Sequence, residues 1–254
     1  MKIEVNNIYN MDCLEGMKYI DDESVDMILC DLPYGTSACK WDTIIPFEPL
    51  WKQYERIIKS NGAIVLFGSQ PFTSMLIVSN LKLFKYEWIW QKTRPSDIFN
   101  AKNKPLKLHE NILVFSKGTT ANGSKRKMCY CPQGLTEGGI KTNNPKKNEQ
   151  YIFKGWRPSH KKNHVTHSSN YPKSVILFSN PNFKSLHLTQ KPINLIEYLI
   201  KTYTNENELI LDNCMGSGTT AIAAININRN YIGFELDKNY FDIAQNRIDK
   251  CKDL

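Results

Sequence analysis

The sequence predicts an α/β fold in which a mostly parallel sheet carries helices on both faces. Three observations lead there. Apolar runs of only four or five residues alternate with amphipathic helical stretches, as strands buried on both faces require. Three of the runs end in a carboxylate, Asp31, Asp212 and Glu235, and two of these acids are followed by turn-forming residues. The alternation is broken once, by a polar, strongly basic segment.

The elements follow in order. Residues 24–30 (SVDMILC) read as a buried strand ending at Asp31. Residues 46–60 place Leu50, Trp51, Tyr54, Ile57 and Ile58 on one helical face, with Gly62 as the stop. Residues 63–67 (AIVLF) form an apolar strand, and 71–80 a helix with Met75, Leu76 and Val78 inward. Residues 86–90 and 112–115 are two further strands. After the basic segment, 192–204 is an amphipathic helix with Pro192 at its start. A strand at 209–211, a helix at 218–228 and a strand at 231–234 come next. Asp237 then caps a last helix whose inner face is Tyr240, Phe241, Ala244 and Ile248.

Composition narrows the function. The chain has 254 residues, 41% of them hydrophobic, enough to bury a core. No apolar run approaches the roughly 18–20 residues of a membrane span, and the N-terminus lacks the apolar stretch of a signal peptide. Seven cysteines without a CxxC pair fit a reduced cytoplasm. Of the net charge of +8, residues 117–173 supply twelve cations against two acids, Glu137 and Glu149, so the rest of the chain is slightly acidic. A near-neutral body with one basic insert points to a polyanion such as nucleic acid, although a solvated basic loop has the same charge.

Ligands of such sheets sit at the carboxyl ends of the strands. In Asp212-Asn-Cys-Met-Gly216-Ser217-Gly218-Thr219-Thr220 a strand ends in an acid and a glycine turn opens a helix. Glycines let the backbone approach a ligand, and the free amides of the helix start favour an anionic group. No Lys follows the second Gly, which excludes a P-loop. Glu235 ends the next strand, where an acid can accept both ribose hydroxyls. The turn alone is also an ordinary strand-to-helix connection; turn and acid together suit an adenosine-type cofactor. Asp31-Leu32-Pro33-Tyr34 delivers a carboxylate, a rigid Pro and an aromatic, or is simply a strand-exit turn. Asp12 and Glu15 can form a helix cap.

Together these segments resemble the S-adenosylmethionine-dependent DNA amino-methyltransferases, in particular the permuted group whose catalytic motif precedes the cofactor motif. The Asp/Asn/Ser-Pro-Pro-Tyr/Phe tetrapeptide of that family stands as Asp31-Leu32-Pro33-Tyr34, and its cofactor loop as Asp212 to Thr220. Thr189-Gln190-Lys191-Pro192, Met11-Asp12-Cys13-Leu14, His109-Glu110 to Phe115 and Ile232-Gly233-Phe234-Glu235 match further family segments. Two departures are Leu32 in place of Pro and Asn213-Cys214 in place of Pro-Phe.

The resemblance implies a Rossmann-like methyltransferase fold, with residues 1–116 as the catalytic half, 117–180 as an inserted target-recognition region and 181–254 as the cofactor half. It implies methyl transfer from S-adenosylmethionine to the N6 amine of a flipped adenine in double-stranded DNA, in a restriction–modification setting. Asp31 and the Leu32 carbonyl would accept the amine's hydrogens, Pro33 would stiffen the turn, and Tyr34 would stack on the base. Asp12, Cys13, Lys191, Asp212, Gly216, Ser217, Gly218, Thr219 and Glu235 would form the cofactor site, with Lys191 near the cofactor carboxylate. Lys125, Arg126, Lys127, Lys146, Lys147, Arg157, Lys161 and Lys162 would contact DNA, with Arg126, Arg157 and Trp156 as candidate base readers.

The alternatives are cytosine N4 methylation, a catalytically dead DNA-binding module, and a nucleotide-binding oxidoreductase, which would need GxGxxG where Gly216-Ser217-Gly218 is followed by Thr219, Thr220 and Ala221. Cys129 and Cys131 with His160, His164 and His167 could hold zinc, but Cys-x-Cys is not the usual spacing, so no metal is expected. The oligomeric state stays open, a homodimer included.

Overall fold

Burial on both faces explains why the central runs 27–30 and 63–67 are apolar throughout. The computed structural model describes residues 2–36, 42–143, 164–180 and 190–252. Its strands are β1 (Asn7–Asn10), β2 (Val25–Cys30), β3 (Ile58–Gly68), β4 (Phe84–Ser96), β5 (Lys107–Phe115), β6 (Thr136–Asn143), β7 (His164–Ser169), β8 (Val175–Phe178), β9 (Leu209–Asp212) and β10 (Asn230–Glu235). Its α-helices are α1 (Cys13–Met17), α2 (Phe47–Ile57), α3 (Phe72–Ser79), α4 (Ile193–Tyr203), α5 (Thr219–Asn226) and α6 (Lys238–Lys252). Eight strands form one sheet in the order β1-β10-β9-β2-β3-β5-β4-β8. Neighbours pair in parallel except at β5, which runs against both β3 and β4.

The pleat divides the core in two. Met27 and Leu29 of β2 face α4, α5 and α6 with Val65, Leu199 and Ala244. Ile28 and Cys30 face α1, α2 and α3 with Ile64, Tyr54 and Leu76. Each large apolar side chain buried in these layers contributes roughly 1.5–3 kcal/mol. Among the described residues the two faces carry three helices each, in keeping with the predicted doubly covered sheet.

Several expectations shift. The helix expected to reach residue 60 ends at Ile57, because Ile58 is already extended and pairs with Val25 at the start of β3. The expected inward face of α3 is corrected. Leu76 is buried, with Phe72 and Thr73, whereas Met75 and Val78 are 46% and 69% exposed. Apolar residues lie all round α3, so its sequence has no polar side to mark the one left uncovered. Strand β1, a parallel partner of β10, has no apolar run to announce it, because Ile8 is the one aliphatic residue among its NIYN. Asp237 caps α6 as expected, accepting the Asn239 and Tyr240 amides at 2.8 and 3.2 Å.

The chain divides into two units, one of residues 1–131 and 174–254, the other Pro132–Lys173. The second unit contains the antiparallel pair β6–β7. It is narrower than the expected insert 117–180. Met128 is buried in the core of the first unit, the Cys129 amide donates to the Asn61 carbonyl at 2.8 Å, and β8 joins the main sheet beside β4. Among the described residues no helix is long and apolar enough to cross a membrane.

Leu199, fully buried under the sheet, should lose about 2–5 kcal/mol of unfolding free energy on substitution by Ala. Val78→Ala, on the exposed face of α3, should stay within about 0.5 kcal/mol. Urea unfolding of the two variants checks both values.

Candidate active site

The sheet brings distant segments together at one end. β2 pairs in parallel with β9, so Asp31 and Asp212 leave neighbouring strand ends, and Glu235 follows one strand further on. Because β5 is reversed, its early residue Glu110 reaches the same end, opposite Trp90 of β4. A cleft of about 1480 Å³ opens there. That exceeds the roughly 300–1,000 Å³ of an ordinary single-ligand pocket. Asp12, Cys13, Asp31, Leu32, Pro33, Tyr34, Lys191, Asp212, Gly216, Ser217, Thr219 and Glu235 all line it.

On one wall, the Asp31 carboxylate is held from two sides. The Tyr34 hydroxyl donates to Oδ1 at 2.6 Å, and the Lys191 ammonium donates to Oδ2. The Tyr34 ring stacks on Phe72 with centroids 5.0 Å apart. Burial and then the Asp31 charge push the Tyr34 phenol well above its usual pKa, so it remains a donor. Lys191, expected beside a cofactor carboxylate, places its ammonium on Asp31 and 3.4 Å from Oε2 of Glu110. Lys92 pairs with Oε1 of Glu110. Burial raises the Glu110 pKa, but the Lys191 and Lys92 ammoniums outweigh it and hold the acid down to about 2. For Lys191, burial acts downward and the Asp31 and Glu110 charges prevail upward.

On the opposite wall, Gly216 and Gly218 adopt φ of +54° and +84°, where other residues are strained. Gly218 is the exception among the expected cofactor residues. It does not line the cleft but caps α5, and a Cβ added there would lie 3.1 Å from the Ala244 Cβ. Asp212 holds the turn from inside, accepting the Cys214 amide at 3.1 Å and the Thr220 hydroxyl at 2.6 Å. Burial raises its pKa to about 6. Glu235 accepts the Gly216 amide at 2.7 Å and the Asp237 amide at 2.9 Å, and burial raises its pKa too. Asp12 caps α1, with Oδ1 accepting the Leu14 and Glu15 amides.

These features suit an adenosine-type cofactor. The turn has no side chains at Gly216 and Gly218 to block approach, α5 begins without a side-chain cap, and a half-buried carboxylate stands at the next strand end. Sequence reasoning missed three supports. The Arg247 guanidinium donates to the Ser217 carbonyl and hydroxyl, and the Tyr54 hydroxyl donates to Asn213 at 2.5 Å. Lys92, in the strand stretch Gln91-Lys92-Thr93, carries no local signal of a site. Glu110 stands within a segment that matches the family, and only the fold gives it partners.

Of the expected DNA contacts, Lys125, Arg126 and Lys127 are exposed on a turn of the first unit. Lys146, Lys147, Arg157, Lys161 and Lys162 lie outside the described residues, as do Trp156, His160 and Thr189.

Two stability measurements test this geometry. Gly218→Ala should destabilise by about 1–3 kcal/mol through its left-handed backbone and its contact with α6. The second concerns Asp212, whose folded pKa lies above the ordinary ~3.9 of an aspartate. Below that range both folded and unfolded states hold the proton, so its contribution is complete there and is lost as pH rises from about 4 through 6. Asp212→Asn should therefore gain on the parent protein by about 2 kcal/mol between pH 4 and 7, read from denaturant unfolding at each pH.

Comparison with known proteins agrees with this geometry. A family model described as DNA methylase matches residues 25–246. The type II methyltransferase M1.MboII of Moraxella bovis is 30% identical over 264 residues, covering 95% of this chain and 96% of the relative. The DNA adenine methyltransferase YhdJ of Escherichia coli is 27% identical, covering 97% and 83%. The crystal structure of the M1.HpyAVI–SAM complex superposes with a TM-score of 0.61 at 27% identity, covering 95% of this chain and 98% of that one. With its motifs gathered on one cleft and the family model spanning most of its length, the chain belongs to the N6/N4 DNA methylase family.

Proposed function

We propose that this protein transfers a methyl group from S-adenosylmethionine to the exocyclic N6 amine of an adenine turned out of double-stranded DNA. The observation that carries the reading is the placement of Asp31 and Leu32 on one wall of a cleft whose other wall is the glycine turn and Glu235. The family to which the chain belongs, the SAM-bound M1.HpyAVI relative and the adenine-specific name of YhdJ support the same choice.

An exocyclic amine is a poor nucleophile, because its lone pair is delocalised into the ring. Asp31 and the Leu32 carbonyl accept its N–H groups, favour tetrahedral geometry and stabilise the positive charge that develops on nitrogen. Tyr34, backed by Phe72, offers the base a stacking surface worth about 1–3 kcal/mol. That offsets part of the few kcal/mol needed to extrude the base. The bound cofactor supplies an electrophilic methyl group on its sulfonium. Gly216, Ser217 and Thr219 would hold its amino-acid end, Glu235 its ribose, and Asp12 with the Cys13 amide its adenine edge. Asp212 and Gly218 shape the turn beneath. Lys125, Arg126 and Lys127, with Lys146, Lys147, Arg157, Lys161 and Lys162, contact phosphates of the DNA in the cytoplasm.

Incubation with radiolabelled S-adenosylmethionine and DNA lacking adenine methylation, followed by digestion to nucleosides, should place the label in N6-methyladenosine. Label in N4-methylcytosine would replace the adenine assignment, and no label on any DNA would refute the reading. Asp31→Ala should abolish transfer while cofactor affinity changes little. Replacing Lys125, Arg126 and Lys127 by Ala should weaken binding to all sequences alike and flatten the log-affinity against log-salt slope by about 0.9 for each cation that touches phosphate.

A further inference from the structure

Beside Asp31 lies a group of charges that acceptor chemistry alone does not explain. Four ionisable side chains, Asp31, Lys191, Glu110 and Lys92, meet at the base of the cleft, with side-chain exposures of 24%, 9%, 12% and 10%. Their charges cancel. Clusters of this kind are costly to desolvate and seldom more stable than apolar packing, so stability is a weak reason for their presence.

Both oxygens of Asp31 are engaged, Oδ1 by the Tyr34 hydroxyl and Oδ2 by the Lys191 ammonium. Glu110 is the opposite case. Lys92 holds its Oε1, while its Oε2 is buried with no hydrogen bond among the described residues. The Lys191 nitrogen is 3.4 Å from that Oε2, a few tenths of an ångström beyond hydrogen-bond range. The Phe67 ring, 5.0 Å from the ammonium, closes another side. Lys191 thus hydrogen-bonds one carboxylate and ion-pairs with a second that still lacks a hydrogen bond, so a displacement of a few tenths of an ångström is enough to move its hydrogen bond from one to the other.

We propose that Lys191 is a positioning residue with two seats: it holds the Asp31 carboxylate while the cleft is empty and passes to Oε2 of Glu110 when the target amine takes its place on Asp31. The proposal rests on Asp31 being the amine acceptor. Positive charge grows on the amine nitrogen during transfer, and an ammonium left on the same carboxylate would oppose it. Glu110 is a receiver already charged, already oriented by Lys92 and already dehydrated. The empty site keeps its carboxylate paired and in register, and the occupied site keeps its ammonium paired, so neither state buries an uncompensated charge.

Steady-state kinetics with radiolabelled S-adenosylmethionine and adenine-unmethylated genomic DNA, together with calorimetric cofactor affinity, test this. Lys191→Met and Glu110→Gln should each lower kcat by about a hundredfold, the scale expected when a reacting group is misplaced. Cofactor Kd should stay within about twofold of the parent. The double variant should be no slower than Lys191→Met, since Glu110 acts only through Lys191. Lys191→Arg retains the charge, and its broad forked guanidinium would hydrogen-bond both carboxylates at once. It should fold normally, even if Lys191→Met does not, and lose kcat to a similar extent. Three results would overturn the proposal: multiplicative losses in the double variant, full activity of Lys191→Arg, or a large rise in cofactor Kd for Lys191→Met with kcat preserved, which would make Lys191 a cofactor-carboxylate ligand. If Asp31→Asn keeps parental kcat, the acceptor reading itself fails, independently of Lys191.

Discussion

The whole site depends on one charge: a carboxylate delivered by a buried strand to the edge of the sheet and kept partnered there. Asp31 follows Cys30, whose side chain is sealed in the core, so β2 fixes the position of the acid to within the play of one peptide. Tyr34 and Lys191 then fix its orientation. A free carboxylate at this depth would be costly, and a carboxylate too tightly paired would be a poor acceptor. In the proposed exchange, Glu110, held by Lys92, resolves that conflict by giving the Lys191 ammonium a second carboxylate.

The glycine-turn wall obeys a different constraint, backbone shape. Two left-handed glycines turn the chain from β9 into α5, and the turn is held from beneath by Asp212, from the side by Glu235 and from behind by Arg247. Several polar groups that the sequence offers as ligands are therefore engaged in supporting the turn. Asp212 is the clearest instance, with both oxygens hydrogen-bonded within its own loop. A glycine turn thus needs as much polar support as it offers to a ligand.

Sheet topology joins the two walls. The strand that delivers Asp31 comes early in the chain and the one that delivers Asp212 late, but parallel pairing of β2 with β9 makes them neighbours. The single reversed strand, β5, supplies the remaining component, because only a strand running the other way brings its beginning to the carboxyl ends of the rest. Glu110 is where it is for that reason.

The sequence alone determined the alternation of strands and helices, the acids at strand ends and the glycine turn, because each is a local pattern with a local physical cause: periodicity, turn chemistry and backbone sterics. Asp31, Gly216 and Glu235 were legible for that reason. It did not determine the phase of α3, whose apolar residues surround the helix, nor the polar edge strand β1, which exists only because β10 lies beside it. It also did not reveal that Lys191 pairs with Asp31 and Glu110, or that Lys92 belongs to the site. Those pairings join residues far apart in the chain, and which ammonium meets which carboxylate is set by strand order and burial, quantities that come into being only when the sheet has formed.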